Sequence, residues 1–255
     1  MGHKMDKAER GANQTINRLK RFNVAGEVIM DIGGNIGHVS RWLKDNGAAK
    51  VVAYEPHPEA FKQLKKRCPD IEAINAGLLT KSGTMKLCQN RRDAADKYFC
   101  NASMVSSALP VGVAVDILSF SKELKRIKPT ALKIDVEGSE YDIILNNPIP
   151  ASVRWICMEV HKLNAIGAPL FAALVKKLAA QGFGMSPLQP SSRPAPGVLK
   201  TFWGFQQVDF SRDYTTTQAD ARWIDSMIKA AKTKRKTTRV VSLQVLYDRE
   251  FGYGQ

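Results

Sequence analysis

The most constraining feature of the sequence is a glycine-rich turn, Asp31-x-Gly33-Gly34-x-x-Gly37, set between a short apolar run and a helical one. Glu27-Val-Ile-Met-Asp31 reads as a buried strand, and the residues after Gly37 read as a helix that stops near Asn46-Gly47. Glycine has no Cβ, so backbone there can turn tightly and lie against a ligand. The helix beginning beyond it offers unpaired N–H groups. A second apolar strand, Val51 to Tyr54, ends at Glu55-Pro56, with Glu55 24 residues after Asp31. In open α/β sheets a ligand lies at the carboxyl ends of such strands, and an acid at the second strand end can bind two ribose hydroxyls.

The rhythm continues along the chain. Pro58 opens a helix to about Arg67, and Ile71 to Asn75 is a third strand. Thr84 to Cys88 reads as an extra strand, followed by a long polar loop over 89–110. Strand–helix alternation resumes with Val113 to Val115 and a helix near 119–127. It goes on with a strand Ala131 to Asp135, a helix Glu140 to Asn146, a strand Val153 to Val160 and a helix Ala168 to Gln181. A Pro- and Ser-rich stretch over 186–197 leads to a late strand, Phe202 to Val208. This order predicts a mostly parallel sheet covered by helices on both faces. Outside it, residues 1–22 form a basic helical extension with Ile16, Leu19 and Phe22 on one side. Residues 211–255 form a second basic extension, a helix over 217–232 and a strand over 239–247. The domain proper spans 23–210.

The ligand follows from charge. The turn is not Gly-x-Gly-x-x-Gly, because Asn35 stands at the third position and the acidic Asp31 precedes it. Asp31 would repel a pyrophosphate and suits a ligand with a cationic amino-acid end and a ribose. S-adenosylmethionine (SAM) has a sulfonium, an ammonium and a ribose, which favours it over a dinucleotide.

Three blocks then resemble one family. Val28-Ile-Met-Asp-Ile-Gly-Gly-Asn-Ile-Gly-His-Val-Ser40, Val52-Ala-Tyr-Glu-Pro-His-Pro58 and Leu132-Lys-Ile-Asp-Val-Glu-Gly-Ser-Glu140 resemble the FkbM family of SAM-dependent methyltransferases in order and spacing. Met158-Glu-Val-His161 resembles the family's next strand end, and the likeness covers about residues 24–210. The resemblance implies a Rossmann-like class I methyltransferase fold, an α/β domain with a seven-stranded sheet whose last strand runs antiparallel. It also implies transfer, most often, to a hydroxyl oxygen. Gly33, Gly34 and Gly37 would pass the cofactor's amino-acid end with Asp31 nearby, Glu55 would hold the ribose, and Asn35 and Pro56 would complete the contact set. Gly34 stands where Ala is common, and His38 is less typical; it could face ligand or solvent.

Asp135 ends one core strand, with Glu137 and Glu140 just beyond, and Glu159 and His161 end the next. Methyl transfer to a hydroxyl must align the acceptor and take up its proton. Imidazole suits that near neutral pH, which makes His161 the expected general base, oriented by Asp135 or Glu159. The same acids could instead pair with Lys133. Asp135, Glu159 and His161 could also bind a metal, but the reading adopted is metal-free.

Charge bears on the acceptor. The 255 residues carry 38 Lys and Arg against 24 Asp and Glu, a formal charge of +14. Such an excess draws polyanions, so the expected partner is an anionic hydroxyl-bearing molecule such as a sugar or glycan. The alternatives are RNA methylated at its ribose 2′-hydroxyls, or a non-catalytic SAM-fold subunit that binds RNA or protein. Six basic residues between Lys229 and Arg239 and the basic N-terminal segment could contact phosphates, with Tyr98, Phe99 or Trp223 stacking on bases. No apolar run approaches the roughly 18 residues that span a bilayer, and the first twenty residues lack a signal-like apolar centre. A cytoplasmic location is therefore expected. Cys68, Cys88, Cys100 and Cys157 form no metal-like pairs and read as free thiols. The triplets at Asn13 and Asn101 read as chance glycosylation matches.

Overall fold

A computed structural model describes residues 7–89, 111–161, 167–186, 206–216, 221–222 and 225. The chain forms helix α1 (Lys7–Leu19), strand β1 (Val28–Ile32), helix α2 (His38–Asp45), strand β2 (Lys50–Tyr54) and helix α3 (Pro58–Arg67). Strands β3 (Glu72–Ile74), β4 (Gly77–Leu79), β5 (Gly83–Gln89) and β6 (Val111–Ser119) follow, then helix α4 (Phe120–Ile127). Strand β7 (Ala131–Ile134), helix α5 (Glu140–Asn146), strand β8 (Trp155–Val160), helix α6 (Gly167–Ala180) and strands β9 (Gly184–Met185) and β10 (Gln206–Ser211) complete it.

Seven strands make the main sheet in the order β3-β2-β1-β7-β8-β10-β9. All neighbours from β3 to β8 pair in parallel, whereas β10 runs antiparallel to both β8 and β9. Strand order reverses between β1 and β7, and the cleft opens there. Alternation along each strand divides the apolar side chains between two layers. Ile29, Val51, Ala131 and Cys157 face α1 and α2, packing with Leu19, Val39 and Leu43. Met30, Val52, Leu132 and Ile156 face the opposite layer, with Phe120, Ile143 and Phe171 of α4, α5 and α6.

Four elements depart from expectation. Strand β6, of which only Val113 to Val115 was foreseen, is not in the main sheet. It centres a separate sheet, β4-β6-β5, pairing parallel with β4 and antiparallel with β5. Its side chains alternate, with Val115 and Ile117 buried and Ala114 and Asp116 exposed. That pattern belongs to a sheet wet on one face, not to a parallel strand buried on both. Strands β4 and β9, three and two residues long, were not anticipated. The late strand lies further along, at Gln206–Ser211.

Helix α1 is fastened to the sheet. Arg18 is 7% exposed, pairs with Asp209 of β10 at 2.5 Å and donates to the carbonyls of Met158 and Val208. Phe22, just past the helix, stacks on Trp155 with ring centroids 4.7 Å apart. Cys68, Cys88 and Cys157 are free and buried. The loop over 90–110 with Cys100, the helix over 217–232 apart from 221–222 and 225, the basic cluster and the strand over 239–247 lie outside the described residues. Among those described, no helix is long and apolar enough to cross a membrane.

Candidate active site

The glycine turn is shaped by its neighbours. The amides of Gly33 and Gly34 both donate to the Tyr54 carbonyl, at 3.0 and 2.9 Å, tying the end of β1 to the end of β2. Gly33 has φ +83°, and a Cβ there would lie 1.9 Å from the Asp135 carbonyl oxygen. The turn therefore lies against the end of β7 more closely than any side chain permits. Asn35 also has positive φ, and its side-chain oxygen accepts from the Ile36 amide at 2.7 Å. Gly37 faces Leu64 and Cys68, so its role is to let α2 start against α3, and it does not line the cleft.

Asp31 is placed differently from expectation. The register of β1 on β7 sets it opposite Lys133. The two are buried as a pair at 3.1 Å, and Ser40 donates a further hydrogen bond to Asp31 at 2.5 Å. Lys133 also donates to the Gly33 carbonyl at 2.6 Å. The pair sits beneath the turn as its support. Its carboxylate is spent on Lys133 and does not reach the cavity wall.

Glu55 does reach that wall. One carboxylate oxygen accepts from the Asn35 amide and the other from the His57 amide, both at 2.8 Å. Burial pushes its pKa up to about 7, against the lowering effect of those two N–H groups. Asn75 fixes the following backbone by donating to the carbonyls of Glu55 and Pro56.

Beyond β7 the chain turns through Glu137, with φ +52°, and Gly138, with φ +110°, into α5. A left-handed glutamate is strained backbone, a feature that gathers at functional sites. Glu140 is fully buried and accepts from the amides of Gly138 and His161, at 2.8 and 2.5 Å, joining the ends of β7 and β8. The His161 ring is surrounded by acids: Nε2 lies 3.3 Å from Glu159 and 3.4 Å from Glu137, and Nδ1 lies 3.5 Å from Glu140. Burial opposes its charge, but the carboxylates of Glu140, Glu159 and Glu137 outweigh burial and push its pKa up to about 12. The surrounding carboxylates therefore favour the protonated ring, which weighs against the expectation that His161 is the general base. An imidazole that already holds its proton cannot accept another. Burial raises the Asp135 carboxyl, with Lys133 opposing, and raises Glu137 to about 7, with His161 opposing.

These elements border one cavity of about 380 Å³, a size suited to a nucleoside-sized ligand. Of the residues singled out from sequence, Gly33, Gly34, Asn35, Glu55, Pro56, Asp135 and Glu159 line it, and His38 does too. Asp31, Gly37 and His161 stand behind it. Lys133, Glu137, Leu78 of β4 and several residues of α1 line it without having been assigned there. The strained Glu137 follows Asp135 by only two residues, so sequence proximity was the available signal. The α1 residues gave none. The cavity fits SAM chemically: glycine backbone without side chains at one wall, an acid with both oxygens oriented at the second strand end, and apolar Leu78 nearby. Asp135, Glu159 and His161 also offer ligand atoms all within 4.8 Å of one another, close enough to hold a divalent cation.

Several solved structures resemble the chain. Magnesium protoporphyrin IX methyltransferase from Synechocystis PCC 6803 with bound SAM is 10% identical, with 84% of this chain and 87% of that one covered and a TM-score of 0.44. The ribosomal protein L11 methylase from Lactobacillus delbrueckii subsp. bulgaricus is 10% identical, with 81% and 80% covered and a TM-score of 0.44. The precorrin-6y C5,15-methyltransferase from Geobacter metallireducens GS-15 is 11% identical, with 83% and 92% covered and a TM-score of 0.42. No functionally curated protein matches the sequence. The sequence pattern of the methyltransferase FkbM domain matches residues 31–185, from the acid beneath the glycine turn to the strand after α6. The chain therefore belongs to the FkbM methyltransferase family, and its cofactor is SAM.

Proposed function

We propose that the protein transfers the methyl group of SAM to a hydroxyl oxygen of a sugar, glycan or similar polyol, at the cavity wall formed by Asp135, Glu137 and Glu159. Bound SAM supplies an electrophilic methyl on a positive sulfonium. The chain's residues then bind, orient and manage one proton. Gly33 and Gly34 admit the amino-acid end, and Glu55 accepts hydrogen bonds from the ribose hydroxyls. The observation that carries the reading is the concentration of three carboxylates at the wall, with a buried imidazolium behind them. Carboxylates accept the hydroxyl's hydrogen bond and its proton, and Glu137, with its pKa near 7, is matched to that task. His161 positions Glu137 and Glu159 and offsets their mutual repulsion.

The same carboxylates narrow the acceptor. A phosphate next to the reacting hydroxyl would be repelled at this wall, so the reading favours a hydroxyl with no anion beside it over RNA ribose. The test is transfer of labelled methyl from SAM into separated neutral glycans, small sugars, RNA and DNA. Label should appear in the sugar fractions and survive mild alkali, as an ether does and an ester does not. Glu137→Gln should lower turnover by roughly 100-fold or more while leaving SAM binding unchanged. Label in nuclease-sensitive material, or full turnover by the Gln variant, would overturn the proposal.

A further inference from the structure

Helix α5 opens with three consecutive polar residues that are all buried, Glu140, Tyr141 and Asp142. A helix at a domain surface turns its polar side to water, and a buried polar group is costly unless it has a partner. Each of the three is tied to main chain outside the helix. Glu140 Oε2 accepts from the Gly138 amide at 2.8 Å and Oε1 from the His161 amide at 2.5 Å. Tyr141 donates its hydroxyl to the His161 carbonyl at 2.9 Å, and Asp142 accepts from the Thr80 amide at 2.6 Å.

These ties reach the borders of the cavity from behind. Gly138 completes the left-handed turn that carries Glu137, His161 lies two residues past Glu159, and Thr80 lies two past Leu78. Glu137, Glu159 and Leu78 line the cavity, whereas Glu140, Tyr141 and Asp142 do not. The β7–β8 ladder ends at Ile134 and Met158, so the sheet's own pairing does not fix the chain beyond them. Past that point one carboxylate spans the two strand ends. It also grips the amide next to Glu137, whose positive φ persists only where its surroundings over-determine it.

We propose that Glu140 is a positioning residue for methyl transfer. Its buried carboxylate sets the separation between the Glu137 turn and the end of β8, and so holds the proton-accepting Glu137 against the acceptor. Tyr141 secures the other side of His161. Glu140 meets no ligand, and its effect passes through Glu137, so the inference rests on the role given to Glu137 above.

The experiment is a double-mutant cycle on the full chain. A glutamine keeps the volume of Glu140 but has one acceptor oxygen and an N–H₂ group, so Glu140→Gln breaks one of the two amide ties. Methyl transfer from labelled SAM into neutral glycans and small sugars is measured for Glu140→Gln, Glu137→Gln and the double variant, with S-adenosylhomocysteine binding and a thermal melt for each. Glu140→Gln should lower turnover by about 100-fold, as a misplacement of about 1 Å does, and keep S-adenosylhomocysteine affinity within about threefold. In the Glu137→Gln background the same change should cost less than about threefold, because the group it positions is already gone. A purely structural role would reduce turnover by the same factor in both backgrounds. Tyr141→Phe removes a single hydrogen bond, keeps the ring, and should show the same pattern at about tenfold, which decides the matter if Glu140→Gln does not fold. Full turnover by these variants, or equal losses in the two backgrounds, would overturn the assignment. No label in either sugar fraction from the unaltered chain would instead remove the role of Glu137 on which it rests.

Discussion

Gly33→Ala is the most discriminating single change to the cofactor site. The new methyl would lie 1.9 Å from the Asp135 carbonyl oxygen and 2.9 Å from its carbon, both backbone atoms at the end of β7. No rotamer relieves this, so the turn and the strand end must part by more than an ångström. The residue would also sit at φ +83°, which costs an alanine about 1–2 kcal/mol by itself. With distortion of the neighbouring backbone, a total of roughly 2–4 kcal/mol is expected, or about 5–12 °C in Tm for a chain of this size. Binding sites tolerate about 0.5 Å of misplacement, so S-adenosylhomocysteine affinity should fall by about 100-fold or more. Gly34→Ala is the control. Gly34 has no positive φ, and its Cβ would meet the Leu64 Cδ1 at 2.6 Å, the mobile end of a side chain. It should lose no more than about 1 kcal/mol and bind the ligand nearly as well as the parent. Calorimetry and thermal melts on both variants decide the matter. If Gly33→Ala kept its affinity within about threefold, or if the two variants were equally impaired, the argument from close backbone approach would be wrong.

Two further outcomes follow from buried charge. Lys133→Met removes the partner of a carboxylate with no exposure, and should destabilise the chain by about 3–5 kcal/mol in chemical denaturation. Adding Asp31→Asn should restore much of that, and a single variant within about 1 kcal/mol of the parent would refute the pairing's role. In the proposed role Glu55 accepts from the ribose hydroxyls as a carboxylate, and its pKa is near 7, so S-adenosylhomocysteine affinity should drop by up to about tenfold per pH unit below that value. Folding responds with the opposite sign. An acid whose folded pKa is raised binds more protons folded than unfolded between its ordinary value and about 7, so this group's contribution to stability falls as pH rises through that window. Flat affinity between pH 5.5 and 8, or an unchanged slope in Glu55→Gln, would contradict it.

What sequence made legible was whatever a local pattern encodes. The strand–glycine–helix unit, the acid at the end of β2 and the acids after β7 were all readable because chain direction alone carries them to one sheet edge. Pairings across the sheet were not. Nothing local to Asp31 says that register will set it opposite Lys133, so an acid expected to face ligand is instead the support for the turn. Arg18 counted toward a basic, polyanion-seeking extension, yet it is neutralised by Asp209, 191 residues away. Strand β6 was readable in part. Its alternation of buried and exposed positions was present in the sequence, but the expectation of a recurring βα unit overrode it.

The same distinction governs how the charge should be read. A formal +14 spread over 255 residues sets the field at distances of a Debye length and beyond, about 8 Å at physiological salt. It can draw an anionic surface toward the protein and raise the encounter rate. Inside the cleft the separations are 3 to 4 Å and the groups are sheltered, so local charge decides. There the wall proposed to face the reacting atoms is acidic, with Asp135, Glu137 and Glu159 held around the His161 ring. Approach and reaction are therefore under opposite electrostatic control. High salt should slow capture of an acceptor whose anionic groups lie away from the reacting hydroxyl and leave a neutral acceptor unaffected, whereas neutralising Glu137 should impair the chemical step without changing capture.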